Sequence, residues 1–120
     1  MAIHNELGRK GEKEAISYLE KQDYTIIATN WRFRHLEVDI IAQKGHVVCF
    51  VEVKTRRNTR FGEPYQAFTK SKQKNILIAA NHYIRRHQIN LDIRFDLITI
   101  VQSNPPQLTH YEEVFVPFIF

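Results

Sequence analysis

Apolar residues recur at helical spacing in two segments of the chain and at strand spacing in the segments between and after them. The first helix is predicted over residues 5–21, where charges occupy one side and the apolar side is formed by Leu7, Gly11, Ala15, Ile16, Tyr18 and Leu19. The second is predicted to begin at Tyr65 or Thr69 and to end at His87, with an apolar side formed by Phe68, Ile76, Ala79, Ala80 and Tyr83. Helices with one apolar side are typical of a layer that packs against a sheet.

Strand patterns fill most of the remaining chain. Four strands rich in β-branched and apolar residues are predicted at residues 24–28 (continued by 30–34 after an irregular step), 37–42, 46–54 and 91–101. The apolar tail, residues 108–120, is expected to add an edge strand or to dock on the sheet. The order αβββαβ predicts an α/β fold with a mixed sheet covered by helices on both faces, and residues 1–120 are expected to form a single domain.

The turn between the second and third strands decides which of their side chains share a face. If Lys44 and Gly45 are its two central residues, Asp39 lies opposite Phe50 and diagonal to Glu52. Asp39, Glu52 and Lys54 then lie on one face of the hairpin. A shift of one residue would instead place Asp39 and Glu52 on opposite faces, so the prediction depends on this turn.

Asp39, Glu52 and Lys54 are charged residues within apolar strands, where each requires a partner. Two carboxylates that share an ion suit Mg²⁺ or Mn²⁺, which prefer oxygen ligands and keep several waters. In phosphodiester hydrolysis the ion would activate a water, and Lys54 would orient that water or stabilise the developing charge. The spacing alone is equally typical of a surface hairpin with a structural Glu52–Lys54 pair.

The distribution of charge favours a polyanionic partner. The 120 residues carry a net charge of +4, but residues 54–91 contain nine basic residues and one acid, a net charge of +8, whereas the remainder is −4. Such asymmetry is typical of nucleic-acid binding, although a solvated basic helix is the alternative. The basic residues predicted to contact a nucleic-acid backbone, with DNA favoured over RNA, are Arg56, Arg57, Lys70, Lys72 and Lys74.

The remaining composition indicates a cytoplasmic protein without a membrane partner. The first ten residues lack the apolar run of a signal peptide, and no segment reaches the roughly 20 apolar residues of a membrane span. The single cysteine, Cys49, lies within an apolar strand and predicts a small buried side chain.

Arg94 and Asp96 flank Phe95 on the fourth strand and are expected to form a structural pair. Six aromatic residues could stack on unpaired bases, although most are better explained as core; they are Tyr24, Trp31, Phe33, Phe61, Tyr65 and Phe68.

The order of several short motifs resembles that of the YraN-like family of bacterial proteins. The matching residues are Gly8, Gly11, Glu12 and Ala15, then Asn30, then 37–39, then 50–54 with Arg56, then Lys72, and finally 94–96. That family is similar to the PD-(D/E)xK nucleases, which include archaeal Holliday junction resolvases. The resemblance covers nearly the whole chain and implies a restriction-endonuclease-like core.

The resemblance assigns roles by position. It implies that Asp39 is the acid of the first half-motif, with Val38 in place of proline, and that Glu52 and Lys54 form the second. It further implies that Glu12 is the helix acid that faces the metal site and that Lys72 contacts a phosphate. One departure is Leu36, which stands where the family usually has glycine.

The interpretation that follows is a Mg²⁺- or Mn²⁺-dependent endonuclease acting on branched or damaged DNA. Asp39 and Glu52 are the predicted metal ligands, and Lys54 and Glu12 complete the catalytic set. Glu37 is expected to be an additional ligand or to pair with Arg34 or Lys54, and Gln66 is a weaker candidate for a supporting contact. Resolvases are two-fold dimers, so the resemblance implies a homodimer.

Two alternatives remain open at this stage. One is a noncatalytic nucleic-acid-binding or partner-docking module on a nuclease scaffold, because fold does not imply function. The other is a metal-free protein–protein adaptor that uses the apolar tail, residues 114–120.

Overall fold

The computed structural model describes residues 6–60 and 62–115, and these form one five-stranded sheet with two α-helices. The elements are α1 (Glu6–Lys21), β1 (Thr25–Phe33), β2 (Leu36–Lys44), β3 (Val47–Arg56), a short 3-10 helix (Pro64–Ala67), α2 (Lys70–Arg86), β4 (Asp92–Val101) and β5 (Gln107–Tyr111). The strands lie in chain order, and all neighbours are antiparallel except β3 and β4, which α2 connects in parallel. This mixed α/β arrangement is compatible with a restriction-endonuclease-like core and confirms the predicted fold class.

One helix covers each face of the sheet, as predicted. On the α1 face, Ala15 and Leu19 pack against Ile40, Val51 and Ile98. The opposite face packs against α2 through buried residues that include Phe50, Ile76, Ala80, Tyr83, Phe95 and Leu97. Cys49 is fully buried on the α1 face, so the prediction of a small buried side chain is confirmed, and burial raises the pKa of its thiol to about 12. Across the described part of the chain, no helix is long and apolar enough to cross a membrane.

Two boundaries differ from the sequence pattern for identifiable reasons. The predicted start of the second helix divides into the 3-10 turn, which opens with Pro64, and α2, whose N-cap is Thr69. The Thr69 hydroxyl accepts a hydrogen bond from the Lys72 N–H at 3.3 Å. The tail supplies β5, so the predicted edge strand is confirmed there, whereas Phe61 and residues 116–120 lie outside the described residues.

The predicted turn of the β2–β3 hairpin is wrong by one residue. Gly45 and His46 are its central residues, because Gly45 takes the left-handed conformation (φ +59°) that a two-residue hairpin turn favours at its first central position. Lys44 pairs with Val47, and the whole register moves by two residues relative to the prediction. A two-residue shift preserves the faces of the paired residues 40–44 and 47–51. Just beyond the paired residues, the side chains of Asp39 and Glu52 remain in contact.

Helix α1 approaches the sheet closely at Gly11, which is buried. A Cβ atom at this position would lie 2.0 Å from Oγ1 of Thr55 and 3.1 Å from its Cβ. Because contacts this short do not occur between side chains, only glycine permits the observed distance between α1 and β3. The next residue of the helix is Glu12, so this contact also determines how near that carboxylate comes to the sheet.

Replacement of Gly11 tests this contact. Gly11→Ala should lower the free energy of unfolding by about 1–2 kcal/mol, because overlap with Thr55 outweighs the helix propensity of alanine. Urea denaturation of the variant and of Gly11→Ala/Thr55→Ala should show part of the loss recovered in the double variant. A more stable single variant would mean that α1 does not lie this close to β3.

A buried polar cluster joins β4, β5 and the segment after β5. Asp96 is fully buried, and its two oxygens accept hydrogen bonds from the Arg94 guanidinium at 2.9 Å each. Nε2 of His110 lies 2.7 Å from Asp96 Oδ2, and the Glu113 N–H donates to Oδ1 at 3.1 Å. Burial alone would raise the pKa of Asp96, but these bonds offset it and hold the pKa below its usual range. The predicted structural pair of Arg94 and Asp96 is confirmed.

The lowered pKa of Asp96 makes its contribution to stability depend on pH. A carboxylate whose pKa is lower in the folded than in the unfolded state stabilises the fold above about pH 4, and this contribution is lost at lower pH. Asp96→Asn should therefore be less stable than wild type by about 2 kcal/mol at pH 7, with a smaller difference at pH 3. Urea denaturation at both pH values measures this, and an equal difference at the two would contradict it.

Candidate active site

The hydrogen-bonded ladder between β2 and β3 ends at the pair Ile40–Val51, although both strands continue beyond it. At the next position a side chain replaces the backbone acceptor: Oδ2 of Asp39 accepts a hydrogen bond from the Val53 N–H at 2.8 Å. Past this point the two strands and the first half of α1 enclose a cavity of about 540 Å³. The carboxylate of Asp39 therefore lies where the hairpin opens, oriented by backbone rather than by a flexible partner.

Glu52 is the neighbour of Asp39, since one further step of the register from Ile40–Val51 places the two side by side. Burial raises the pKa of Asp39 well above its usual range, and the charge of Glu52 raises it further, while the Val53 N–H opposes both. Burial also raises the pKa of Glu52, against the lowering effect of Lys54 and Lys72 and of a hydrogen bond with Asp39. Two carboxyl groups that disfavour each other's charge form a pair suited to a cation.

Lys54 and Lys72 approach this pair from β3 and from α2. Burial lowers the pKa of Lys54, and its contact with Lys72 lowers it further, although Glu52 acts in the opposite direction. Lys72 influences both Glu52 and Lys54, so the structure brings this predicted residue to the acid pair. The result is two ammonium groups beside two carboxyl groups.

The cavity adds charged groups from α1, β1 and β2 to the set. Its lining includes Glu12 among the predicted catalytic residues and Arg56 among the predicted backbone contacts. The Glu12 carboxylate accepts a hydrogen bond from Nδ2 of Asn30 at 2.8 Å. Asn30 has φ +50°, a left-handed conformation that asparagine tolerates better than most residues. The register shift of β1 lies earlier, between Ile26 and Ala28. Asn30 thus orients Glu12 across the cavity from β1.

The donor set fits a small divalent cation. Within residues 6–60 and 62–115, no cluster of three or more His, Cys, Asp and Glu side chains surrounds one point. The adjacent carboxyl groups of Asp39 and Glu52 supply two ligands, and Mg²⁺ commonly accepts one or two carboxylates while it keeps several waters. A cation would also offset the negative charges that burial disfavours in this pair.

Some of the predicted residues lie outside the cavity or have partners other than those expected. Arg57, Lys70 and Lys74 are exposed and do not line the cavity. Glu37 does line the cavity, but its carboxylate pairs with Arg32 at 3.7 Å and not with Arg34 or Lys54. Gln66 does not support the site, because its Oε1 accepts the Glu63 N–H at 2.7 Å and caps the 3-10 helix.

Two cationic residues of the cavity lie outside the predicted set. Arg9 of α1 and Arg32 of β1 join Arg56 of β3 in its lining. Arg9 precedes Glu12 by three residues and so shares its side of the helix, a spacing that was visible in the sequence. Arg32 stands between Trp31 and Phe33, but no sequence signal indicated that β1 would bring it beside β2.

The acid pair predicts a variant that is more stable and less able to bind metal. Asp39→Asn keeps an oxygen for the Val53 N–H but removes a charge that burial and Glu52 disfavour, so the free energy of unfolding should rise by about 1 kcal/mol in metal-free buffer at pH 7. Millimolar Mn²⁺ should raise the melting temperature of wild type and not that of Asp39→Asn. Scanning fluorimetry with and without Mn²⁺ measures both effects.

The matched control is Asp92→Asn, at an exposed aspartate that begins β4. This variant should respond to Mn²⁺ as wild type does. An equal Mn²⁺ response in Asp39→Asn, or none in wild type, would contradict the metal assignment.

Comparison with known proteins gives one consistent relationship. The family model described as "Uncharacterised protein family UPF0102" matches residues 11–100. The UPF0102 protein of Bacteroides thetaiotaomicron is 44% identical over 121 residues, and that of Phocaeicola vulgatus is 42% identical over 121 residues, with all of both chains covered in each case. A UPF0102 protein of Christiangramia forsetii is 42% identical over 120 residues, covering 98% of this chain and all of the relative.

Proposed function

Since the chain belongs to uncharacterised protein family UPF0102, the YraN-like family that its motifs resemble, we propose a function from the geometry of its own site. The protein is a Mg²⁺- or Mn²⁺-dependent endonuclease that hydrolyses phosphodiester bonds of nucleic acid, DNA in preference to RNA. The observation that carries the proposal is the adjacent, half-buried Asp39–Glu52 pair, with Lys54 beside it and arginines around the cavity.

The acid pair and Lys54 divide the chemistry between them. A divalent cation held by Asp39 and Glu52 would lower the pKa of a water and neutralise charge on the phosphate. Lys54 lies next to Glu52, where its ammonium group can orient the attacking water or stabilise the negative charge that develops on the phosphate. Glu12, oriented by Asn30, adds a hydrogen-bond acceptor on the α1 side of the cavity.

Three guanidinium groups of the cavity bind the nucleic-acid backbone. Arg9, Arg32 and Arg56 come from three different elements and line the same cavity as Asp39, an arrangement that suits the oxygens of a phosphodiester. The Arg32 side chain is 62% exposed, and its 3.7 Å pair with Glu37 is a weak surface contact. Arg32 can therefore exchange Glu37 for a phosphate without a large loss.

The acid pair favours catalysis over simple binding. A protein that only bound a polyanion through surface cations would gain nothing from two adjacent, half-buried carboxyl groups, which repel each other and the ligand. Such destabilising groups are typical of functional sites.

The proposed setting is the cytoplasm, in agreement with the lone buried thiol of Cys49.

Cleavage assays test the proposal. Wild type with Mn²⁺ or Mg²⁺ should cleave at least one member of a labelled panel of duplex, single strand, flap, four-way junction and RNA. Asp39→Asn should lose at least 100-fold in rate, because loss of a single group that stabilises the transition state has an effect of that order. Asp92→Asn should cleave at the wild-type rate.

Two results would overturn the nuclease assignment. One is equal cleavage by wild type and Asp39→Asn, which would indicate a contaminating nuclease. The other is the absence of cleavage together with salt-sensitive binding, which would indicate the noncatalytic nucleic-acid-binding module.

A further inference from the structure

A second, mostly apolar cavity of about 240 Å³ lies on the α2 face of the sheet. We call it the aromatic slot, and it is lined by Tyr65, Phe68, Gln73, Leu97, Tyr111 and Val114. The 3-10 helix and the start of α2 form one wall, and β4, β5 and the segment after β5 form the other. The nuclease chemistry proposed above uses none of these residues.

The register of the sheet places the slot beside the acid pair. Glu52 of β3 is the direct neighbour of Leu97 in β4, and Leu97 is the direct neighbour of Tyr111 in β5. Registered neighbours point to the same face, so Glu52, Leu97 and Tyr111 form one row across the sheet. Asp39 adjoins Glu52 beyond the end of the β2–β3 ladder. Two strand spacings of about 4.8 Å separate Glu52 from Tyr111, a distance of about 10 Å. Nucleotides in a stacked strand are about 3.4 Å apart, so the slot is about three nucleotides from the acid pair.

An exposed aromatic ring marks the entrance of the slot. Tyr65 is 47% exposed, which makes it one of three large apolar side chains left exposed among the described residues. Its ring centre lies 6.1 Å from that of Tyr111, with a 58° angle between the planes. The sequence favoured a core role for most of the aromatic residues, and Tyr65 is an exception. Gln73 contributes an amide to the otherwise apolar lining and donates to the Phe68 carbonyl at 3.3 Å.

The lysines near the aromatic slot indicate what kind of ligand it binds. Lys70, Lys72 and Lys74 open α2 immediately after Phe68, and two of them flank Gln73. Lys72 also contacts Lys54 beside the acid pair. A ligand that is flat and apolar in one part and strongly anionic in another matches both features, and a nucleotide has this chemistry.

We propose that the aromatic slot binds an unpaired nucleobase of the nucleic acid whose backbone lies on Asp39 and Glu52. The base stacks on Tyr65, and Lys70, Lys72 and Lys74 contact the adjoining phosphates. The proposal rests on the proposed function and narrows it to substrates with an unpaired nucleotide about three positions from the cleaved bond, such as flaps, bulges and branch points.

Binding measurements in EDTA test the slot independently of cleavage. The probes are a perfectly paired DNA duplex and a duplex of the same length with a three-nucleotide 2-aminopurine flap. Tyr65→Ala should weaken binding of the flap about tenfold, the order expected for loss of one stacking contact, and should leave the paired duplex unchanged. Tyr65→Phe should bind as wild type, and 2-aminopurine fluorescence should be quenched by both proteins but not by Tyr65→Ala.

A matched control replaces Ile27, another exposed apolar residue, which lies on β1 and outside both cavities. Ile27→Ala should bind both probes as wild type does. An equal loss on the two probes in Tyr65→Ala, or no loss on either, would overturn the slot. If neither Mn²⁺ nor Mg²⁺ supports cleavage while the flap preference depends on Tyr65, the nuclease proposal fails and the base-binding slot stands.

Discussion

The hydrogen bond from the Val53 N–H to the Asp39 carboxylate is the contact on which the candidate site depends. It replaces a backbone bond at the point where β2 and β3 stop pairing, so the end of the ladder is satisfied without a third strand. Because a main-chain donor orients the carboxylate, Asp39 is held beside Glu52 although both are disfavoured there as anions. The cavity, its arginines and the approach of α1 through Gly11 are all arranged around that position.

Asp96 and Asp39 are two acidic residues of this sheet with opposite surroundings: the charge of one is compensated by its neighbours and that of the other is not. Asp96 is surrounded by Arg94, His110 and a backbone N–H, so its charge is fully compensated and the cluster stabilises the attachment of β5. Asp39 has one backbone donor and an acidic neighbour, so its charge requires a cation from outside the chain. A compensated carboxylate is typical of structure, and an uncompensated pair in a cavity is typical of function. The row that continues from Glu52 through Leu97 to Tyr111 extends this functional region to the aromatic slot.

The sequence was sufficient for the fold and for the acidic part of the site. Helical spacing located both helices, and the hairpin pattern brought Asp39 and Glu52 together even though Gly45 moved the turn by one residue. The cavity arginines were harder to predict from the sequence, because Arg9 and Arg32 lie in elements whose placement against β2 depends on tertiary packing. Tyr65 resembled a core aromatic until the 3-10 helix separated it from α2 and left it exposed. Local patterns therefore identified which residues carry the chemistry, and packing decided which others join them.

The central claim is that Asp39 and Glu52 together hold one divalent cation, and anomalous diffraction from crystals soaked in Mn²⁺ tests it most directly. Wild type should show a single anomalous peak between the two carboxyl groups, within ordinary Mn²⁺–oxygen bonding distance of both. Asp39→Asn should show no peak there. A wild-type map with no peak between them, or a peak that persists in Asp39→Asn, would contradict it.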